Sequence, residues 1–212
     1  MAPVIPKDDH IRDFPNAAAF ERWLSANHAA APELWLKIHK KESGLPTVTY
    51  AEALDIALCW GWIDGQKKTF DDRSFLQRFT PRGAKSIWSQ RNIGHIDRLT
   101  KAGRMTPHGQ KHVDAARADG RWQAAYAAAR DMKPPPALVA AIAANPGAQA
   151  TYDTLNAQNR FALAFRLVNL KTEAARERKI AGFVDMLARG ETIYPNGKGR
   201  TAKGRTPEEG AT

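Results

Sequence analysis

Residues 60–104 decide the fold of this chain, and they read WGWIDGQKKTFDDRSFLQRFTPRGAKSIWSQRNIGHIDRLTKAGR. The stretch contains three of the six tryptophans and ten lysine or arginine residues. From Trp62 the pattern is that of two strands joined by a turn at residues 71–73, and Ser89 is a typical N-cap for a following helix. The stretch therefore predicts a β-hairpin that leads into a helical region.

The residues before this stretch predict the rest of a small sheet and its covering helices. Residues 33–41 show the alternating side-chain pattern of a strand. Asn16 is suited to cap a helix that ends near residue 28, and Thr49 is suited to cap a helix that stops at Gly61. Residues 1–15, with three prolines, predict an extended lead-in. We expect an antiparallel sheet with the two helices on one face.

The residues after the stretch predict helices only. Thr106 and Pro107 are typical of a helix start, and the prolines at 134–136 mark the best candidate boundary. The predicted class is α+β, with an N-terminal domain over residues 16–133 and an all-helical C-terminal module over 134–193. Residues 194–212 have the glycine, proline and charge content of a disordered basic tail.

Charge and cysteine content restrict the partners and the compartment. The 212 residues carry a formal net charge of +10, with a pI of about 9.9, so the surface attracts nucleic acid, anionic lipid or anionic metabolites. Cys59 is the only cysteine, which excludes an intrachain disulfide and a cysteine-rich zinc site. The sequence contains no run of about eighteen apolar residues, so it predicts no membrane span. We expect a cytoplasmic protein.

Basic and aromatic side chains interleave through residues 60–104, a combination suited to a flat or anionic ligand. The residues expected to form such a site are Trp62, Asp64, Arg78, Arg82, Lys85, Trp88 and Arg91. Lys85, Trp88 and Arg91 are three apart, which places them on one face of a helical turn beginning near Gly83. The alternatives are a packed core for the tryptophans, and salt bridges or a solvated face for the cations.

Other candidate residues support no complete catalytic or metal motif. Asp64 is either a general base or a turn aspartate before a glycine. His108 and His112 are four apart on a predicted helix, the spacing of two metal ligands, but the sequence offers no evident third ligand. Cys59 lies in an apolar helix and is best interpreted as a small buried side chain. We predict no catalytic residue, no metal and no cofactor.

A second basic set lies toward the C-terminus and suits a polyanion. Its members are Arg176, Arg178, Lys179, Lys198, Arg200, Lys203 and Arg205. Such contacts would give weak, salt-dependent nucleic-acid binding. Cations near the end of a helix are also favoured by its dipole, so those of the last helix need no ligand.

Several motifs together resemble the YdeI/OmpD-associated family, also called bacteriocin-protection proteins. They are LWLKIHKK at 34–41, YAEALDIALCWGWIDG at 50–65, QRFTPRGAKSIWSQRNI at 77–93, LTKAGRMTPHG at 99–109 and AARADGRWQAAY at 115–126. The resemblance runs from about residue 16 to residue 190. It implies no particular reaction, because the family name records only links to antimicrobial-peptide resistance and to an outer-membrane porin.

Three hypotheses of function follow. The first is a non-enzymatic stress or antimicrobial-peptide-protection protein with an anion or partner site between Trp62 and Arg91; its action would be indirect, because a chain of charge +10 repels cationic peptides. The second is a non-specific nucleic-acid-binding protein. The third is an enzyme for a small anionic substrate, with Asp64 as base and Arg78 or Arg82 as the anion contact.

Overall fold

A four-stranded sheet forms the framework of the N-terminal unit, residues 1–125 of the two units into which the chain divides. The structure is a computed structural model, and it describes residues 6–127, 131–168, 170 and 172–196. The strands are β1 (Ile11–Asp13), β2 (Leu34–His39), β3 (Trp62–Thr69) and β4 (Ser74–Pro81), in the order β1-β2-β4-β3. The hairpin predicted from residues 62–81 is therefore confirmed.

The sheet is mixed, whereas the sequence predicted an antiparallel one. β2 and β4 are antiparallel, as are β3 and β4, but β1 pairs in parallel with β2, with Ile11 opposite Trp35. This strand comes from the segment that was expected to be an extended lead-in. Three residues with one partly buried side chain carry little periodicity, so their pairing with β2 is a long-range contact that local pattern does not reveal.

Four helices of the N-terminal unit start at the caps that the sequence predicts. They are α1 (Ala17–Asn27), α2 (Tyr50–Cys59), α3 (Gln90–Lys101) and α4 (Pro107–Ala118). Asn16, Thr49, Ser89 and Thr106 each accept a hydrogen bond from a backbone N–H in the first turn. Thr49 and Glu52 complete a capping box, which satisfies two helical N–H groups reciprocally. Short 3-10 turns occupy Asp8–His10 and Lys41–Ser43.

Two apolar clusters hold these elements together. One packs α1 and α2 against the inner face of the sheet and includes Phe20, Leu36 and Trp62, all at most 1% exposed. The other packs α2 against α3 and α4 and includes Leu58, Trp88 and Leu99. Because α2 contributes to both clusters, it is the central helix of this unit.

The chain between β4 and α3 is not helical. Residues 82–88 contain only a turn at 84–85, and α3 begins at Gln90. The expectation that Lys85, Trp88 and Arg91 share one face of a helical turn from Gly83 is therefore wrong. Glycine is a poor helix former, so Gly83 disfavours the helical turn that the three-residue spacing suggested.

The C-terminal unit, residues 126–212, is built mainly of helices in the part that the structure describes. Its helices are α5 (Pro136–Ala143), α6 (Pro146–Thr154), α7 (Ala157–Val168) and α8 (Glu173–Ala188), around a core that includes Leu138, Leu163 and Phe183. The predicted α+β class with a helical C-terminal region is confirmed. Within the described residues, no helix has the length and apolarity to cross a membrane.

Candidate functional site

A pocket of about 500 Å³ opens on the N-terminal unit where the end of α1, the α2–β3 junction, the end of β4 and α4 meet. Its volume falls within the range of small-molecule sites, roughly 300–1,000 Å³. It is lined by His28, Ala29, Trp60, Gly61, Trp62, Pro81, Arg82, His108, Lys111 and His112. The lining combines three imidazoles, two permanent cations and two indoles, and contains no carboxylate.

Gly61 makes the pocket possible by allowing α4 to come close to the start of β3. Its φ is +75°, a left-handed conformation that side chains other than glycine adopt at a cost. A Cβ at this position would lie 2.7 Å from the His108 carbonyl oxygen and 2.7 Å from the His112 ring carbon Cδ2. Only a residue without a side chain therefore leaves both histidines in place.

Gly109 allows the first turn of α4 to pack closely against the end of α2. A Cβ here would lie 2.3 Å from the carbonyl oxygen of Cys59 and 2.7 Å from that of Leu58. The Thr106 hydroxyl, which caps α4, donates to the same Cys59 carbonyl at 2.6 Å. The first turn of α4 is therefore held against the last turn of α2.

The aromatic wall of the pocket, which we define as His28, Trp60 and His108, is made of three rings in mutual contact. The ring centroids of His28 and His108 are 4.0 Å apart, and those of His28 and Trp60 are 5.0 Å apart. Trp60 and His108 are stacked at 5.6 Å with an angle of 13° between their planes. Nε1 of Trp62 donates to the His28 carbonyl oxygen at 3.1 Å, which ties the end of α1 to the start of β3.

The lining of the pocket is positively charged, and burial together with this charge lowers the pKa of two of its histidines. Burial lowers the pKa of His108, and the neighbouring His28 and Lys111 lower it further. Burial also lowers the pKa of His112, with further contributions from Lys111, Arg82 and Arg121. Both imidazoles therefore favour the neutral form near pH 7, and a negative charge placed beside them would favour protonation.

Arg82 is the most deeply placed cation of the pocket. It is 5% exposed, its Nη1 donates to the Ile87 carbonyl oxygen at 3.0 Å, and its Cζ lies 3.7 Å from the centre of the Trp88 ring. Trp88 in turn packs on Trp122 at 5.0 Å. Lys111 is exposed and forms no ion pair with any residue that the structure describes, so it is the more adaptable of the two cations.

Of the residues predicted from the sequence, Trp62 and Arg82 line this pocket and Trp88 lies against Arg82. The others lie elsewhere. Asp64 accepts a hydrogen bond from the Tyr50 hydroxyl at 2.7 Å and does not line the pocket. Burial raises the pKa of the Tyr50 hydroxyl, and the hydrogen bond to Asp64 raises it further. The positive charge of Arg91 acts in the opposite direction and lowers this pKa. Lys85 is exposed.

Arg78 belongs to a separate polar cluster on the outer side of β2. It forms an ion pair with Glu33 at 2.6 Å, and the same carboxylate contacts Nδ1 of His10 at 3.0 Å. Burial raises the pKa of Glu33, but the bonds from His10 and Arg78 outweigh it and the net pKa is lowered. The salt-bridge alternative therefore describes this arginine, and its partner is Glu33.

The second basic set is only partly described. Arg176 contacts Glu173 and donates to the Leu170 carbonyl oxygen at 3.1 Å, so it is engaged locally. Arg178 and Lys179 are exposed, and Nζ of Lys179 lies 5.1 Å from the ring centre of Phe183. Lys198, Arg200, Lys203 and Arg205 lie outside the described residues.

Cysteine and metal chemistry receive no support from the described geometry. Cys59 is buried, and burial raises the pKa of its thiol to about 11, which keeps it in the unreactive thiol form. No group of three His, Cys, Asp or Glu side chains within the described part of the chain is arranged to hold a metal ion.

Sequence reasoning missed His28, Lys111 and the joint role of His108 and His112. The sequence suggests for the two α4 histidines only the spacing of a metal-ligand pair. The spacing of residues 108, 111 and 112 on one helix was the available signal, because it places all three on one face. His28 had no such signal, since it reaches the pocket only through the packing of α1.

The two halves of the chain match different family models. Residues 131–190 match the family described as Bacteriocin-protection, YdeI or OmpD-Associated. The resemblance noted in the sequence is thus confirmed for the C-terminal unit. Residues 12–112 match a domain of unknown function (DUF8412), so the model of the first family does not extend over the motifs of the N-terminal unit. Neither a curated protein nor a solved structure matches the chain.

Proposed function

We propose that the protein is a binding protein for a small organic anion, which it holds in the pocket lined by Arg82, Lys111 and the three histidines. The observation that carries this proposal is the composition of the lining: two permanent cations and three imidazoles around about 500 Å³, in a lining that includes no Asp or Glu. Anions are attracted to such a concave positive surface, and its partly buried groups are screened less by salt than exposed ones.

The fixed geometry of the pocket favours a binding role. Arg82 is held by Ile87 and Trp88, and the aromatic wall is held by packing on α1 and α4. Groups that are fixed before the ligand arrives lose little conformational freedom on binding, which strengthens affinity. The pocket lining also supplies no complete nucleophile–base pair.

The matched family description supports a role in protection from bacteriocins, and the charge of the chain bears on how that role would work. At +10 the protein repels cationic peptides, so protection by direct capture is unfavourable. We propose that the anion bound in the pocket is the signal or the metabolite through which the protein acts.

Isothermal titration of the full chain with inorganic phosphate, benzoate and adenosine monophosphate, at low and at physiological salt, tests the proposal. At least one anion is expected to bind at both salt concentrations. Lys111→Ala should weaken that binding roughly tenfold, which corresponds to the loss of about one charge-assisted contact. Lys85→Ala is the matched control, because it removes the same charge from an exposed site outside the pocket.

Two results would contradict the proposal. If none of the three anions binds, the pocket is not an anion site. If Lys85→Ala and Lys111→Ala weaken binding equally, the effect belongs to the net charge and not to the pocket. Binding of oligonucleotides alone, lost as salt rises, would instead favour the nucleic-acid hypothesis.

A further inference from the structure

We infer that the contact between His28 and His108 is an acid-operated gate: when both imidazoles are protonated, the ring of His108 leaves the aromatic wall and the pocket opens. The inference names a regulation of this pocket and rests on the proposed function for its purpose, but the gate itself is measured on the protein without ligand. Three features carry it: the closeness of the two rings, the charges around them, and their unequal anchoring.

The two imidazoles are too close to carry a positive charge each without repulsion. Their ring centroids are 4.0 Å apart, and each ring also contacts Trp60. Two unit charges at about this distance repel each other enough to lower an equilibrium constant roughly fivefold, even in water. Acid therefore works against this ring contact.

The groups around the pair do not offset a second charge. The other ionisable residues of the lining are Arg82 at the end of β4 and Lys111 and His112 on α4, and the lining includes no Asp or Glu. His108 lies in the first turn of α4, where the helix dipole disfavours a cation. Burial lowers the pKa of His108, and the neighbouring His28 and Lys111 lower it further. The contribution of His108 to stability is therefore lost as the pH falls below about 6.5, the ordinary histidine value.

The two rings are anchored unequally, which decides which of them moves. Nδ1 of His28 lies 3.2 Å from the Leu24 carbonyl oxygen and 3.3 Å from that of Ser25, and it is the donor because carbonyl oxygens only accept. The His28 backbone is held as well, by the hydrogen bond from Nε1 of Trp62. The ring of His108 forms no hydrogen bond with any residue that the structure describes and is held by ring contacts. His108 is therefore the ring that moves.

Rotation of one side chain is enough to open the gate. The first turn of α4 is held against α2 by the close approach at Gly109 and by the bond from Thr106 to the Cys59 carbonyl oxygen, so the backbone stays in place. When the His108 ring turns outward, Trp60 loses its stacking partner and the aromatic wall is incomplete. A bound anion offsets the charge of the protonated ring, so acid opens the pocket without ligand in preference to the pocket that holds one.

The first test observes the rings by NMR on the full chain, without added anion, at pH 8 and pH 5. Contacts between the rings of His108 and Trp60 should be present at pH 8 and lost at pH 5. Those between His28 and Trp60 should remain at both pH values, because His28 is anchored. Adding an anion that binds at pH 8 should restore the contacts of His108 at pH 5.

The second test is a double-mutant cycle on the same pair. Urea unfolding of the wild type, His28→Gln, His108→Gln and the double variant gives the coupling between the two imidazoles. This coupling should become unfavourable at pH 5, which changes the folded-to-unfolded ratio roughly fivefold relative to pH 8. His95→Gln with His108→Gln is the matched control, because His95 contacts Asp55 and Arg98 and does not line the pocket. The control pair should be additive at both pH values.

The outcomes separate this inference from the proposed function. If the contacts between His108 and Trp60 persist at pH 5, or if the coupling between His28 and His108 is the same at both pH values, the inference fails whether or not anions bind. If an anion that binds at pH 8 does not restore the contacts at pH 5, the gate does not regulate the site, and the inference fails. If the gate opens but inorganic phosphate, benzoate and adenosine monophosphate do not bind, the proposed function fails and the gate stands.

Discussion

At the scale of single residues, the shape of the pocket depends most on Gly61. Its left-handed φ and its closeness to His108 and His112 are two separate reasons for glycine at this position. Gly61→Ala is expected to destabilise the protein by roughly 2–4 kcal/mol, with about 1–2 kcal/mol from the backbone conformation and the rest from displaced neighbours. Urea-induced unfolding measures the difference, and anion binding should be lost as well because both histidines move.

Gly103→Ala is the matched control for this change. Gly103 also has a positive φ, of 65°, but a Cβ there would meet nothing within 4 Å. Gly103→Ala should lower the free energy of unfolding only by the contribution of the backbone conformation, about 1–2 kcal/mol, and should leave ligand binding unchanged. Equal destabilisation by the two alanines would show that the contact of Gly61 with the histidines contributes nothing.

Arg82 is the second residue whose substitution should destabilise the protein. Arg82→Ala removes the hydrogen bond to the Ile87 carbonyl oxygen and the stacking on Trp88, and we expect a loss of roughly 2–3 kcal/mol of unfolding free energy. Lys85→Ala, which removes the same charge three residues further along, should change stability by at most about 0.5 kcal/mol. Thermal unfolding of both variants checks this, and an unchanged melting temperature for Arg82→Ala would contradict it.

At the scale of elements, the contact between α2 and α4 is the one that builds the pocket. Gly109→Ala places a methyl group 2.3 Å from the Cys59 carbonyl oxygen, a backbone atom that cannot rotate away, so the two helices must separate. We expect a destabilisation of about 2–4 kcal/mol and weakened anion binding. Gly94→Ala, in the interior of α3 with nothing within 4 Å, should instead stabilise the protein by up to about 1 kcal/mol through helix propensity. Unfolding curves that rank the two alanines in the reverse order would contradict the packing described.

The link between α2 and α3 gives a pH-dependent prediction. Burial raises the pKa of Asp55, but its bonds to Arg98, at 2.6 Å, and to His95, at 3.0 Å, outweigh burial and lower the pKa overall. A carboxyl whose pKa is lower in the folded state stabilises the fold above its unfolded pKa of about 3.9, and that contribution is lost as pH falls through the folded pKa.

Asp55→Asn should therefore be less stable than the wild type at pH 7, and the difference should shrink as the pH approaches 3. Chemical unfolding at several pH values measures it. Asp97→Asn is the control, because Asp97 is an exposed carboxylate of α3 without a bond or ion pair to any described residue. A gap between Asp55→Asn and the wild type that stays constant down to pH 3 would exclude the proposed linkage.

The sequence predicts elements better than their contacts, for a physical reason. Helix starts at Asn16, Thr49, Ser89 and Thr106 depend on hydrogen bonds within one turn, so neighbouring residues determine them. The pairing of β1 with β2 and the approach of His28 to His108 join residues far apart in the chain. Local pattern therefore located Trp62 and Arg82 but did not predict that α1 and α4 complete their pocket.

At the scale of the whole molecule, the chain joins two units that match different family models, and the anion site belongs to the first. A ligand that binds only the folded state stabilises the part of the structure that it contacts. An anion that binds in the pocket should therefore slow backbone hydrogen exchange around residues 26–31, 58–64 and 105–114, as measured by mass spectrometry. Exchange in helices α5 to α8 should serve as the internal reference; slowing confined to those helices would place the ligand elsewhere.

The most direct test of the anion pocket is a pH titration of the histidine imidazoles by NMR, with and without an anion that binds. Without ligand, His108 and His112 should titrate below the ordinary histidine pKa of about 6.5. With ligand, both pKa values should rise, because the bound anion favours the protonated rings, and the complex should take up protons between the free and bound pKa values. If both imidazoles titrate identically with and without saturating adenosine monophosphate, inorganic phosphate and benzoate, the pocket does not bind anions.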